Sequence, residues 1–591
     1  MTRLLHARVL GAVLRRLRHG GADRGVALAS VIGLGMVLLL LSVTMASVAV
    51  SGTVKARDDS DFNAAIAAAY AGVEDYQSKL ANNNAYSQFG AKTTSFSAGS
   101  TFTGTDGNPA FGKGTAGSWQ TVGDGTGASY RYEVDNSKYS TAGTLRIRST
   151  GRVGDTTRSV VADLKQDGFL DYVYFTDYEI SDPVLSSTKC VPKYEWAVTS
   201  RPSCTTIQFA ASDVIDGPMH TNDTMLVCGG TQFKGSTTTS STRAARYVSA
   251  TGATCTGTPN FGGLTKPAYA QAVTMPQTNE GMRQETRSDL GATTVPNPGC
   301  LYTGPTRITM KSDGTMNVYS PYTKATQIQA DESKGSTPAM CGTPGDAIGG
   351  GTLGSVGGQN VKVPANNLVY VQDVPASPTN VNYWGSKPTN FSCRNADDSG
   401  AGNGLGFPAE GEVNATYSCT AGDVFVQGTL KGNLTIAAQN YVYVTGDVKY
   451  SDVSTDMLGL VGTNAVYVYN PVRYYGTGWD RTVGLIDRTE SDRIIQAAVL
   501  SVSHTFTVQN YAADSNKPKG KLKVLGSISQ KFRGPVATTG GTGYTKNYTY
   551  DPRMRYTAPP KFLSPVSTSY GITQVVESKT AVASTGRELV P

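Results

Sequence analysis

Val31-Ile32-Gly33-Leu34-Gly35-Met36-Val37-Leu38-Leu39-Leu40-Leu41 is the core of a stretch, Val26 to Val54, that holds no charged residue. At 1.5 Å of rise per residue, about 20 such residues cross the hydrocarbon core of a bilayer. The stretch is long enough to span one, and a lipid bilayer is the first partner it implies. On its N-terminal side stand Arg3, Arg8, Arg15, Arg16, Arg18 and Arg24 against Asp23 alone, a local charge of +5 within the chain's formal +7. The positive-inside rule keeps that flank in the cytoplasm and sends the rest of the chain out.

On the other side the apolar run does not stop at a small-residue cleavage site, as a secretory signal would. Phe62, Ile66, Ala69, Tyr70, Val73 and Leu80 recur mostly at three- and four-residue steps, with Asp61, Glu74, Asp75 and Lys79 between them. This is the period of an amphipathic helix. A helix of roughly 50 residues with an apolar first half is expected, ending near Ala81-Asn82-Asn83-Asn84.

The run Asp23-Arg24-Gly25-Val26-Ala27-Leu28, the Leu-rich span and Ala67-Ala68-Ala69-Tyr70-Ala71-Gly72-Val73-Glu74 together resemble the N-terminus of PilX-type minor pilins of type IV pilus systems. The resemblance implies a leader cut after Gly25 by a prepilin peptidase, with Val26 as the new terminus. It also implies a helix that serves first as membrane anchor and then as packing core among other pilin-like subunits, through Leu28, Ser30, Leu34, Leu38, Leu41, Phe62, Ile66 and Tyr70. The chain departs from the family at Ser30, where major pilins carry a glutamate that pairs with a neighbour's terminal amine. That departure points toward a minor, initiating or tip subunit, or a protein that stays in the membrane.

The remaining sequence is that of an extracellular β protein rich in turns. It holds 67 Gly and 31 Tyr, and only 16% of residues are charged. Outside the leader the net charge is near +2, by subtracting +5 from +7, so there is no basic footprint for nucleic acid. The eight cysteines, Cys190, Cys204, Cys228, Cys255, Cys300, Cys341, Cys393 and Cys419, all lie in the middle of the chain. None is spaced as C-x-x-C, which argues against zinc ribbons and redox motifs. An even number in an exported chain favours disulfides; their connectivity is open, and pairing of neighbours would close four loops of moderate size.

Residues 85 to 128 form a Gly/Ser/Thr-rich connection. Alternating strands follow around Tyr130-Val134, Leu145-Ile147 and Arg158-Leu164, as in a small antiparallel head. Beyond residue 180 short β runs repeat between Gly, Asn and Asp. Val424-Phe425-Val426, Leu434-Thr435-Ile436, Val442-Tyr443-Val444 and Val466 to Tyr469 are spaced as stacked rungs. The fold expected is mainly β: a long transmembrane, pilin-like helix, a small antiparallel sheet, then a right-handed parallel β-helix, with a multi-sheet β-sandwich as the alternative. The chain divides on this reading into a basic leader (1–25), the helix (26–84), a linker and β head (85–180), a cysteine-containing β region with long loops (181–420), a β-solenoid (421–567) and a C-terminal tail (568–591) that is loose. Two segments stand out by a shared Gly-Pro turn, Asp216 to Asp223 and Gln530 to Tyr544. With Tyr548, Tyr550, Asp551, Arg553 and Arg555 they resemble parts of large exoproteins that accompany pilin-like N-termini in Gram-positive bacteria. Tyr556 to Phe562 reads as an extended strip closing the solenoid.

Catalytic chemistry finds little support. Outside the leader the only histidines are His220 and His504. Asp216, His220 and Asp223 could supply a metal or acid/base cluster, but in one turn-rich segment they read as solvated turn formers. His504 falls on the same side of an alternating strand as Val502 and Phe506, the pattern of a core histidine, and no nucleophile elbow accompanies it. Asp452, Asp456, Asp480, Arg481, Asp487, Arg488, Asp492 and Arg493 are the carboxylates and arginines from which a polysaccharide-cleaving site could be drawn; they read as a solvated loop stitched by ion pairs. Gly349 to Gly351 lack the Lys-Ser/Thr of a phosphate loop. No cofactor, metal or catalytic residue is expected. The function expected is that of a pilin-like surface protein, structural or adhesive toward glycans or another cell-surface ligand, with an extracellular carbohydrate-active enzyme as the alternative.

Overall fold

A computed structural model describes residues 26–589 apart from 83, 93, 103–106, 112–118, 124–126, 140–143, 167, 253–254, 292–294, 296, 346–350, 515–517, 539, 556 and 564–569. Helix α1 runs unbroken over Val26–Asn82, 57 residues. Its last third lies across an antiparallel sheet of β1 (Gln120–Thr121), β2 (Ala128–Asp135), β3 (Thr144–Val153) and β4 (Thr156–Gln166). Ala69, Val73, Tyr76 and Leu80 of the helix bury against Tyr130, Tyr132, Val134, Leu145, Ile147, Val160, Ala162 and Leu164. The sheet side of each alternating strand supplies every second residue, as the period of two requires. Contact is close enough that a Cβ on Gly151 would stand 2.0 Å from the Ala65 carbonyl oxygen.

The fifth strand of this sheet comes from the far end of the chain. Tyr570–Ser578, read from sequence as part of a loose tail, pairs antiparallel with β4. Beyond it Ala581 and Val582 are buried, Arg131 Nη1 donates to Gly586 O at 3.1 Å, and Arg148 pairs with Glu588 at 3.3 Å. The β-rich body is therefore an insertion between two neighbouring strands of the head.

In the body the long ladders are parallel, with antiparallel pairing in local hairpins such as Thr306–Met310 with Thr315–Tyr319 and Val472–Tyr475 with Thr482–Leu485. One ladder runs through Cys300–Thr303, Asn367–Gln372, Asn433–Ala438, Met457–Gly462, the middle of Arg493–Val508 and the end of Pro518–Phe532. It then continues not into a later segment but into β5 (Tyr174–Tyr178), and on through Met219–Thr221, Thr237–Thr239 and Ala268–Tyr269. A second ladder repeats the jump, from Gly543–Tyr550 to Val214–Asp216, Gln232–Phe233 and Asn260–Phe261. A third joins Thr306–Met310, Val424–Leu430, Val442–Tyr450, Val466–Val468 and the end of Arg493–Val508. Parallel pairing is thus not confined to residues 421–567; it takes in much of the cysteine-containing region, because a ladder needs only short strands in register and tolerates long loops between them.

The register stacks like side chains. Val369, Ile436, Leu460, Val499, Ile528, Tyr174 and Met219 form one inward column within the main core. Their outward neighbours Tyr370, Ala437, Val461, Leu500 and Phe175 form a second apolar layer. That layer is covered by the segment that carries the chain from one end of the ladder back to the other. Along it Ala270 N donates to Thr239 O at 3.0 Å, Val273 N to Asn222 Oδ1 at 2.8 Å, Ser503 Oγ to Gln277 O at 3.0 Å, Asn279 Nδ2 to Ala438 O at 2.7 Å and Arg283 Nε to Gln372 Oε1 at 2.8 Å. Val273, Met275 and Met282 supply its apolar contacts. Phe562 packs on the same layer, and Lys561 pairs with Glu285 at 3.0 Å.

Candidate functional site

Among the described residues nothing buries the apolar half of α1. Leu28, Leu34, Leu38 and Leu41 are 49 to 68% exposed. Side chains of this kind, bare over a length that matches a bilayer, need another apolar medium. The few hydroxyls there are turned inward: Ser42 Oγ donates to Leu38 O at 2.8 Å, Thr44 Oγ1 to Leu41 O at 2.9 Å and Thr53 Oγ1 to Val50 O at 2.8 Å. Back-bonding of this sort removes the cost of a polar group in hydrocarbon. Ser30 lies within the same half, Val26 is the first described residue, and Gly25 with the rest of the leader lies outside the described residues.

The amphipathic stripe differs from the sequence reading. The buried line is Ala65, Ala68, Ala69, Val73, Tyr76 and Leu80, whereas Phe62 and Tyr70 are 36% and 38% exposed and Ile66 is half-buried. The helix docks through alanines because Gly72 and Gly151 bring helix and sheet backbones together, and larger side chains cannot enter so narrow a gap. The Arg158 guanidinium stands 3.8 Å above the Phe62 ring. Phe62, Ile66 and Tyr70 therefore extend the exposed apolar surface of the span along the head.

The cysteines pair with their neighbours in sequence: Cys190 with Cys204, Cys228 with Cys255, Cys300 with Cys341, and Cys393 with Cys419. Two of the loops so closed cover aromatic rows on the outside of the body. Phe407 and Tyr417 from the loop between Cys393 and Cys419 pack on Phe425, which stacks in turn on Tyr443 and Tyr443 on Tyr467, at 4.9 and 5.4 Å. Trp196 and Tyr194 from the loop between Cys190 and Cys204 continue the row of Tyr178 and Phe532. Most of the tyrosine rows are thus interior to the assembled body.

His220 sits in the outward column beside Phe175, the rings 5.9 Å apart. Its Nδ1 lies 2.9 Å from Thr238 Oγ1 and its Nε2 3.1 Å from Asn222 Oδ1. Burial pushes its pKa down to about 4, so it is neutral. Asp223 is spent on the Arg201 guanidinium and on backbone N–H groups of Glu179 and Thr224, at 3.1 and 2.8 Å. Asp216 stands apart, half-exposed and 3.4 Å from Lys234. His220 and Asp223 are fully buried and so are not solvated turn formers, while Asp216 is half-exposed; the three do not converge on one point.

His504 is not a core residue. An irregularity between Ser501 and Thr505 breaks the alternation that would have placed it with Val502 and Phe506, and those two pack in different layers. Its Nδ1 lies 2.6 Å from Asp182 Oδ2. The charged run makes the surface pairs expected of it: Arg488 with Asp514 at 2.7 Å, Lys519 with Asp487 at 3.2 Å, Lys523 with Asp492 at 2.6 Å and Arg493 with Asp447 at 3.6 Å. Among the described residues no group of three or more His, Cys, Asp or Glu is placed to hold a metal.

Two buried ion pairs lay outside sequence reasoning. At the joint where Pro518–Phe532 meets β5, Arg533 pairs with Glu179 at 2.8 Å; where Gly543–Tyr550 meets Val214–Asp216, Lys546 pairs with Asp213 at 2.6 Å. The two Gly-Pro segments flank this joint, and a Cβ on Gly217 would stand 2.4 Å from that of Tyr550. Those shared turns were the one available signal.

No family model matches the chain, and no curated protein matches it. Among solved structures it is similar to the competence-associated pilin ComZ from Thermus thermophilus, at 12% identity and a TM-score of 0.24, over 88% of this chain and 97% of that one. A likeness of that size carries no functional argument.

Proposed function

We propose that this chain is a membrane-anchored, pilin-like surface protein that holds a large β body outside the cell as a minor or tip subunit of a type IV pilus-like system. The observation that carries the reading is α1: one unbroken helix whose first half is bare and apolar and whose last third is the core of an antiparallel head. The bare half serves as membrane anchor. Leu28, Leu34, Leu38 and Leu41, continued by Phe62, Ile66 and Tyr70, then pack against neighbouring pilin-like subunits. Cleavage by a prepilin peptidase after Gly25 leaves Val26 as the terminus, in line with the PilX-type resemblance. Ser30 deprives the subunit of the carboxylate that shaft subunits use, which suits a tip or initiating position.

The parallel ladders and their inward columns support a right-handed parallel β-helix for the body. Disulfides suit its place in an oxidising compartment, and its role there is structural or adhesive. The test is mass spectrometry of the N-terminus from native membranes with and without the prepilin peptidase. A chain that begins at Val26 only when the peptidase is present supports the pilin pathway. An uncut terminus in both samples makes the chain a plain membrane anchor.

A further inference from the structure

The hairpin of Val472–Tyr475 and Thr482–Leu485 pairs antiparallel, with Tyr474 opposite Val483 and Tyr475 opposite Thr482. Its two faces are used differently. On one, Tyr475 lies between the guanidinium groups of Arg473 and Arg488, 4.8 and 3.6 Å from its ring centre. Arg488 donates two bonds to Asp514, at 2.7 and 3.0 Å, and Leu485 N donates to the same carboxylate at 2.9 Å. That face is anchored to the body.

The other face carries Tyr474 and Val483, each 39% exposed, and Arg481, whose guanidinium carbon stands 3.5 Å over the Tyr474 ring. At the tip Trp479 is wholly exposed, whereas Trp119, Trp196 and Trp384 are each partly buried. Arg481 makes no ion pair and no side-chain hydrogen bond among the described residues. Single exposed apolar residues are ordinary. Here an exposed Trp and a Tyr stacked under a guanidinium with no acidic partner among the described residues belong to one short hairpin.

We propose that the hairpin tip carrying Tyr474, Trp479 and Arg481 binds an acidic polysaccharide. A sugar offers an apolar C–H face that lies flat on Trp or Tyr. A carboxylate or sulfate on that sugar takes the paired N–H donors of an arginine, and exposed Arg481 is already positioned by its contact with the Tyr474 ring. A lipid surface fits less well. The exposed apolar surface here is a single Trp with half-exposed Tyr474 and Val483, far less than the broad apolar face that an interfacial helix sinks into headgroups. The inference rests on the reading that the body lies outside the membrane, but its test does not depend on leader processing.

The full-length chain in detergent micelles is passed over immobilised polygalacturonate and a sulfated glycan, with neutral dextran as control. Capture by at least one acidic polymer and not by dextran is expected. Trp479→Ala and Arg481→Gln should each weaken it by at least about tenfold with unchanged thermal unfolding, and Arg481→Lys should restore part of the loss. Equal capture of the wild type and both variants, or no capture by either acidic polymer, overturns the proposal. So does binding only to phosphatidylserine vesicles that Trp479→Ala abolishes, which would reassign the tip to a membrane. Either failure leaves the N-terminal result standing.

Discussion

Arg533 Nη1 donates to Glu179 Oε2 across 2.8 Å, with both side chains at zero exposure and a separation of 354 positions in the chain. The pair marks the joint at which the last long strand of the ladder meets its first. Beside it Gln530 Nε2 donates to Tyr174 OH at 2.7 Å, and the rings of Tyr174 and Tyr548 stack at 6.1 Å. Because the chain enters and leaves the body here, on its way from β4 and back to Tyr570–Ser578, the joint also fixes how the body is tied to the head.

Breaking that pair from one side leaves a buried charge without its partner. Glu179→Ala or Arg533→Ala should each lower stability by about 3–5 kcal/mol. Glu179→Leu with Arg533→Met should recover most of the loss. Denaturant unfolding of the three variants measures this; single variants that unfold like the wild type would mean the joint is held by backbone pairing alone.

Asp423 carries a pH signature. Burial, with Asp373 nearby, pushes its pKa from 3.8 up to about 7. The folded state therefore binds more protons than the unfolded state between those values, so this group's contribution to stability is full below pH 3.8 and is lost as pH rises through 7. His220, lowered from 6.5 to about 4, acts in the opposite sense: its contribution is present above pH 6.5 and lost as pH falls through 4. The two slopes oppose one another. The stability of Asp423→Asn relative to the wild type should therefore rise as pH goes from 3.8 to about 7, read as the difference of their thermal midpoints across that range.

Gly151→Ala places a methyl group 2.0 Å from the Ala65 carbonyl oxygen and 2.4 Å from the Ala69 nitrogen. Overpacking costs about 1–3 kcal/mol where side chains can yield, and here the obstacle is helix backbone. Hydrogen exchange should accelerate in β3 and in helix residues 65–80 while the ladder strands keep their protection. Equal acceleration everywhere would show that the head and body do not unfold separately.

Replacing Cys393 and Cys419 together by Ser should cost about 2–4 kcal/mol and loosen Phe407 and Tyr417 from Phe425. Near-ultraviolet circular dichroism reports the aromatic stack, and peptide mapping without reductant should recover the four neighbour pairs in the wild type.

Asn279 holds the returning segment to the ladder. It donates to Ala438 O at 2.7 Å and accepts from Thr463 Oγ1 at 2.7 Å and Tyr370 OH at 3.1 Å. Asn279→Ala strands those buried groups and should cost about 1–3 kcal/mol, with protease cleavage appearing first between residues 270 and 291.

What could be read from residues alone followed how local each signal is. The length of α1 was legible because a run without charge and a 3.6-residue period are properties of adjacent residues. Its buried face was not, because the narrow gap at Gly72 and Gly151 inverts the usual preference and buries Ala65 and Ala69 while leaving Phe62 and Tyr70 out. The short β runs were legible, as was the ion-paired character of the segment from Trp479 to Arg493. His504 was misplaced because a strand irregularity shifts parity without any mark in composition.

By itself the sequence determined a bilayer-length apolar helix, a β-rich remainder and an even set of cysteines, since solvent preference and strand period act residue by residue. Only the tertiary structure decided which strand lies beside which. Strand alternation tells which side chains face inward but carries no label for the neighbour, and loop length hardly restricts the choice. So the pairing of Tyr570–Ser578 with β4, the meeting of Pro518–Phe532 with β5, and the burial of Arg533 against Glu179 were settled by packing across the whole chain.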